Sequence, residues 1–468
     1  MTRRASRIAI LGAAVVSFAA VAAAQPNKPA AKPAPSASAS AVPTPLPAKQ
    51  GALVHVAAEI AQAIGQVPAN TLVVSSPLAS DIPAPKGEEL AVKIATHVAG
   101  RLGSAKAHPQ PATLAVARGL SGRAASLVFV QLEIAKGELR ATADLYTVVS
   151  NGWERLRNPA PGPRAHAFAG APLDAEVRTF LTPILLEQAS VHKVKHEETD
   201  VVAVGCGDVD LDGGNELVIL SRTRVTLAKI RGGKLSVMKA VPWSQVASRA
   251  AVPLREPLAS VVVSPRSHRG EILLGSTDRA SVSVDASLVT KRVLTGLPIP
   301  GGEGNACAVV VPEAGAFDGS GVSCSVPLKG EPAKVLEAPI AKYDAIAALD
   351  LVAKDGSVAK VVAAREPSGK LRLHRPDGPG KPIEALLENA GAQLALADLD
   401  LDGTPEIITT TEKDDDVLIV TSWNGKSFAP RLRVPAKEGV RAVTTCPPEE
   451  KGLPAVVAVV GSEVWLVR

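Results

Sequence analysis

Two short stretches carry the residues best suited to chemistry. They are Asp208-Val209-Asp210-Leu211-Asp212-Gly213-Gly214-Asn215-Glu216 and Asp398-Leu399-Asp400-Leu401-Asp402-Gly403-Thr404-Pro405-Glu406. Carboxylates at alternate positions, a glycine where the chain must turn and a further carboxylate are how a short loop wraps a hard cation. Calcium takes about six to eight oxygen ligands, from side chains and backbone carbonyls alike. Asp208, Asp210, Asp212 and Glu216 would supply side-chain oxygens in one copy, and Asp398, Asp400, Asp402 and Glu406 in the other, with the carbonyls of Gly214 and Thr404 adding one each. We therefore expect two structural Ca2+ sites. An EF-hand is excluded, because its twelfth position must be acidic and here holds Ile219 or Thr409. The bland alternative is an Asp-rich turn without metal, but carboxylates crowded without a cation repel one another.

Each loop sits between two apolar runs, VVAVGCG and LVIL in the first and QLALA and IITTT in the second. Similar pairs recur from Val201 to the end of the chain. Taking Leu217, Ile272, Val322, Val361, Ile407 and Val456 as equivalent points gives a period of about 40–55 residues, the range of propeller blades. The fifth repeat resolves into QLALAD, EIITTT, DVLIVTSW and FAPRLRV, four strands as one blade requires. The fold class expected is mainly β, a six-bladed β-propeller over 190–468 (seven blades possible) preceded by a small α+β domain. The last repeat is one strand short, so SVHKVKHE at 190–197 is expected to close the ring. Closure would bring Cys206 to Cys446 as a latch, and Cys307 and Cys324 flank one hairpin. Four cysteines in an exported chain are more often paired than free.

Upstream, Arg3, Arg4 and Arg7 precede an apolar run from Ile8 to Val21, and Ala22-Ala23-Ala24 offers a cleavage site, so residues 1–24 read as a secretory signal peptide without a lipobox. Residues 25–50 are a Pro/Ala/Ser/Lys linker. Residues 51–160 read as the small α/β domain: helices at 51–65 and 87–103, a strand at 71–76, and a hairpin at 126–150 turning on Lys136-Gly137. The Pro/Gly/Ala-rich stretch 158–174 reads as a boundary and 175–188 as a short helix, so that 161–189 form a connector.

The pattern of an apolar strand, D-x-D-x-D-G-x-x-E and a second apolar strand resembles the FG-GAP or VCBS repeat of integrin α-subunit propellers and bacterial secreted proteins. The resemblance covers about 198–468 and implies that the ten loop residues named above are calcium ligands. The family's Phe-Gly…Gly-Ala-Pro signature is not evident. The order of elements over 51–160 resembles the amino-terminal α/β domain of TolB and of CsgG-type envelope proteins, and carries no functional residue across. In the other repeats the loop has decayed. The second keeps Glu271 behind Ser264, Arg266 and His268, the fourth has Asp350 and Asp355 with Lys360, and the sixth has Glu449 and Glu450 with Ala455 at the closing position.

No catalytic pattern emerges. Ser320 lacks the preceding glycine of a nucleophile elbow, Gly369-Lys370 is no phosphate loop, and His192 and His196, four apart, have no glutamate at the second position of the pair. Loss of the three signal-peptide arginines from a formal charge of +5 leaves a nearly neutral chain, which excludes the basic stripe of a nucleic-acid binder. No later run is long and apolar enough for a membrane helix. The reading is a periplasmic or secreted, non-catalytic calcium-binding propeller that binds a protein or glycan of the cell envelope. The competing reading is a hydrolase or lyase whose site is assembled from several blades.

Overall fold

The computed structural model describes residues 51–468 except 79–81, 83, 136, 150–151, 159–160, 249–256, 265–269, 302–304, 312–315, 354–356, 376–382, 412, 414 and 450–452. The expected signal peptide and linker lie outside the described residues. So does Lys136 of the expected hairpin turn.

The amino-terminal domain is a five-stranded mixed sheet. Helix α1 (Ala52–Ile64) and helix α2 (Ala84–Leu102) lie on one face and helix α3 (Leu114–Leu120) on the other. Its strands are β1 (Thr71–Ser75), β2 (Ala105–Ala107), β3 (Ser126–Ala135), β4 (Glu138–Thr147) and β5 (Ala165–Pro172), in the order β2-β1-β3-β4-β5. Helix α1 forms because Leu53, Val56, Ala57, Ile60 and Ile64 recur at helical spacing and are all buried. The same spacing in α2 buries Leu90, Ile94, Ala95 and Val98.

Two expectations are corrected here. Residues 165–172, inside the expected boundary stretch, form β5, which pairs along its whole length with β4. Ala167, Ala169 and Ala171 point inward against α1, and side chains this small gave no apolar alternation strong enough to mark a strand. The expected helix at 175–188 is only one turn, Ala175–Arg178, followed by a 3-10 turn at Leu186–Gln188, because Pro183 interrupts it. Asp174 ties this connector to the domain: one carboxylate oxygen accepts from the Ala52 N–H at 2.6 Å and the other caps Val177 at 3.0 Å.

The remainder is a six-bladed β-propeller. Blade 1 is Val201–Gly207, Glu216–Ser221, Arg224–Arg231 and Lys234–Pro242; blade 2 is Ala259–Val263, Ile272–Ser276, Val282–Val284 and Thr290–Val293. Blade 3 is Leu297–Pro298, Ala306–Ala308, Gly321–Ser323 and Lys334–Leu336, with a three-stranded sheet (Val310–Val311, Ala316–Asp318, Lys342–Tyr343) beside it. Blade 4 is Ala345–Val352, Val358–Arg365, Leu371–Arg375 and Ile383–Leu387; blade 5 is Leu394–Ala397, Glu406–Thr409, Asp416–Trp423 and Phe428–Ala436. The second strands of blades 1, 2, 5 and 6 are buried at every position, as expected when both faces of a sheet meet neighbouring blades. Packing between the inner strands is close: a Cβ on Gly205 would lie 2.5 Å from Val261 Cγ1.

Blade 3 departs from the expected register. Its innermost strand is Leu297–Pro298, so Ala306–Ala308 is second and Val322 lies on the third strand rather than the second. A two-residue strand set between Gly296 and Pro300 carries no periodicity to read.

Blade 6 consists of Val440–Cys446, Ala455–Val460 and Glu463–Val467, completed by β6 (Val191–Lys195) from the other end of the propeller segment. Strand β6 pairs antiparallel with Glu463–Val467, and the Lys193 ammonium stacks 4.1 Å from the centre of the Trp465 ring. Ser190 and Arg468 exchange backbone hydrogen bonds at 2.6 and 3.0 Å. Cys206 and Cys446 form a disulfide between the inner strands of blades 1 and 6, and Cys307 and Cys324 form a second within blade 3. Two disulfides and no free cysteine place the chain in an oxidising, extracytoplasmic compartment. No helix among the described residues is long and apolar enough to cross a membrane.

Candidate metal centres

Both acidic loops connect the first strand of a blade to its second, and both fold the same way. The closing glutamate begins the second strand and turns back: Glu216 Oε2 accepts the Val209 N–H and Glu406 Oε2 the Leu399 N–H, each at 2.8 Å. The first aspartate accepts from the glycine five residues on, Asp208 from Gly213 at 3.1 Å and Asp398 from Gly403 at 2.9 Å. Asp212 and Asp402 each accept the N–H two residues ahead, from Gly214 and Thr404, at 2.8 Å. Leu211 and Leu401 both adopt left-handed backbone, φ 63° and 55°, which a branched side chain rarely accepts.

The structure brings three of the four expected carboxylates together in each loop. Oxygens of Asp208, Asp210 and Glu216 lie within 4.8 Å of one another, as do those of Asp398, Asp400 and Glu406. Asp212 and Asp402 stand outside these clusters, each held by its own loop N–H groups. Gly214 and Thr404 lie in the same turns, where their N–H groups are already bonded to these aspartates.

Electrostatically the loops differ, and the difference comes from residues that loop spacing did not single out. In blade 1, Lys229 Nζ lies 2.8 Å from both oxygens of Asp212 and 2.5 Å from Glu216 Oε1. Burial pulls the lysine's pKa down, but Asp212 and Glu216 outweigh it and raise it to about 12. The ammonium also holds the Asp212 carboxyl below the usual range. In blade 5, Glu406 pairs across the hairpin with Ser422, whose hydroxyl donates to Glu406 Oε1 at 2.7 Å. No ammonium enters. Burial, reinforced by the neighbouring charges of Asp400 and Asp402, pushes Asp398 up to about 8; burial with Asp400 and Asp398 pushes Glu406 to about 9. Asp400 is raised as well, chiefly by burial. Arg431 stands 3.9 Å from Asp400 but places its Nε on Glu187 of the connector at 2.5 Å.

Lys229 was legible in principle. The tight turn between Ser221 and Arg224 sets a hairpin in which Leu217 pairs with Ala228, which puts Lys229 opposite Glu216.

No family model matches the chain, and no curated protein matches it. Solved structures with similar folds are propellers of varied kinds. The β-propeller domain of Cps50 (Swd1) from Myceliophteria thermophila is 8% identical, with a TM-score of 0.36 over 72% of this chain and 94% of that one. TolB from Acinetobacter baumannii is 12% identical, with a TM-score of 0.29 over 80% of this chain and 95% of that one. A glucose dehydrogenase is 13% identical, with a TM-score of 0.36 over 59% of this chain and 98% of that one. At such scores the chain's own sheet order, not the likeness, assigns the architecture.

Other aromatic and polar side chains among the described residues pair locally. Trp423 packs on Phe428, ring centres 4.9 Å apart, and Trp465 Nε1 donates to Glu463 at 2.9 Å. His192 is exposed on β6 whereas His196 is buried beyond it, so the two do not form a site. A cavity of about 270 Å3 between blades 1 and 2 is lined by Asp278, Arg279 and Trp243; Asp278 and Arg279 pair with each other, and the Arg279 guanidinium lies over the Trp243 ring.

Proposed function

We propose that this chain is an exported, non-catalytic β-propeller that binds calcium through acidic loop residues, blade 5 above all, as a structural fastener, and that the ring so held binds a protein or glycan of the cell envelope. The observation that carries the reading is the blade 5 cluster. Asp398, Asp400 and Glu406 converge within 4.8 Å at the mouth of a hairpin, with Glu406 fully buried, and without a cation two of them are pushed well above the carboxylate range. Clustered hard oxygens that repel one another fit a divalent cation, and calcium is the hard ion that tolerates an irregular, loop-built oxygen shell. The spacing D-x-D-x-D-G-x-x-E between buried strands supports the FG-GAP/VCBS resemblance, in which such ions hold loops rather than react.

Calcium bound by the folded chain alone stabilises it by about 1.4 kcal/mol at tenfold excess over Kd and about 2.7 at a hundredfold. Calcium should therefore raise the melting temperature of wild type and leave that of Asp398→Asn unmoved. Affinity capture from a native envelope extract, with and without a chelator, tests the binding role. If the same set of proteins and glycans is recovered by the propeller and by a bare matrix, the role is refuted.

A further inference from the structure

The two loops share one sequence pattern, yet the closing glutamate meets an ammonium in blade 1 and a hydroxyl in blade 5. We propose that in blade 1 the Lys229 ammonium takes the place of the divalent cation, so that the chain binds calcium at blade 5 and not at blade 1. The inference rests on the calcium reading above for blade 5, but its statement about blade 1 stands separately.

Three observations converge. Lys229 Nζ touches Asp212 and the fully buried Glu216 at 2.5–2.8 Å, on the side of the loop where the closing glutamate faces its turn. Gly214 accommodates it: a Cβ there would meet Lys229 Nζ at 2.9 Å and Cε at 3.0 Å, whereas the matching residue in blade 5 is Thr404, which has a side chain. The third-strand position opposite the closing glutamate is lysine in blade 1 and Ser422 in blade 5, so that glutamate faces an ammonium in one loop and a hydroxyl in the other.

A comparable internal pairing is present in blade 2, where the closing Glu271 meets the Arg292 guanidinium at 3.1 and 3.3 Å. Arg431 does not do this in blade 5: its Nη1 reaches one oxygen of Asp400 at 3.9 Å, and its Nε is committed to Glu187. A buried carboxylate needs a partner charge. In blade 1 the buried Glu216 takes that charge from Lys229, whereas in blade 5 the buried Glu406 meets the Ser422 hydroxyl and the Leu399 N–H among the described residues.

The test is calcium stoichiometry on the mature chain by equilibrium dialysis, at calcium concentrations reaching ~1 mM and above, the range of extracellular modules. Wild type should bind one ion, Asp398→Asn none, and Lys229→Ser two. Lys229→Met, which keeps the apolar stem, guards against misfolding of the serine variant; it should also bind two, with its circular dichroism restored to that of wild type in excess calcium. Two ions on wild type, one of them lost in Asp208→Asn, would overturn the proposal. So would one ion on both lysine variants. No ion on wild type but one on Lys229→Ser would refute calcium at blade 5 while upholding the role of Lys229.

Discussion

The latch between the first and last blades lends itself to a quantitative test against the second disulfide. Cys206 and Cys446 are 240 residues apart, Cys307 and Cys324 only 17. In the chain-entropy account a cross-link restricts the unfolded state by an amount that grows with the logarithm of the loop it closes, giving about 5.5 kcal/mol for the first and about 3 for the second. All four sulfurs are buried, so replacing each pair by alanines removes similar packing in the two cases. The difference, roughly 2 kcal/mol, then isolates loop length. Urea unfolding of Cys206→Ala/Cys446→Ala and of Cys307→Ala/Cys324→Ala, followed by far-UV circular dichroism, should show the lower extrapolated stability for the first pair, with a steeper slope than wild type because the unfolded chain is no longer cross-linked. Equal stabilities, or a lower one for the short-loop pair, would refute the latch as an entropic device. They would mean that β6, and Glu449 accepting from the Asn215 N–H at 3.0 Å and the Arg468 guanidinium at 2.7 Å, already hold the ring.

Other outcomes follow from single contacts. In chelator, Asp398 and Glu406 keep protons to about pH 8 and 9 in the folded chain but lose them near pH 4 when unfolded. Between those limits the folded state holds more protons, so the melting temperature should fall as pH rises from about 4 to 9, and saturating calcium should abolish the fall. Gly205→Ala drives a methyl into Val261 and should cost about 1–3 kcal/mol of stability in urea titration. Val194→Asp puts a charge on the buried centre of β6 and should open blade 6, read as faster proteolysis near Ser190.

The number of blades, the closing strand and both cysteine pairings were legible because buried strands with two packed faces leave continuous Val/Ala/Leu runs, and because a repeat short of one strand must borrow it. Blade 5 was read almost strand for strand, its four elements starting at Leu394, Glu406, Asp416 and Phe428. What escaped had little side chain to signal it: β5, with its three inward alanines, and Leu297–Pro298, two residues long. At the loops, the carboxylates were visible from spacing alone. Their inequivalence was not, because it depends on Lys229 and Ser422, which come close only once the second and third strands pair.

Strand β6 also imposes an order in time. It leaves the ribosome ahead of every blade, yet its hydrogen-bonding partners Glu463–Val467 are made after every other strand of the ring, and Ser190 bonds to the backbone of Arg468. Throughout synthesis and any passage across a membrane, both this strand and the inner edge of blade 1 lack their neighbours. The open ring therefore presents pairing edges to other chains until Glu463–Val467 arrive. A protein built this way gains from late oxidation: if Cys206 were oxidised with Cys307 or Cys324, both made long before Cys446, the ring could not close.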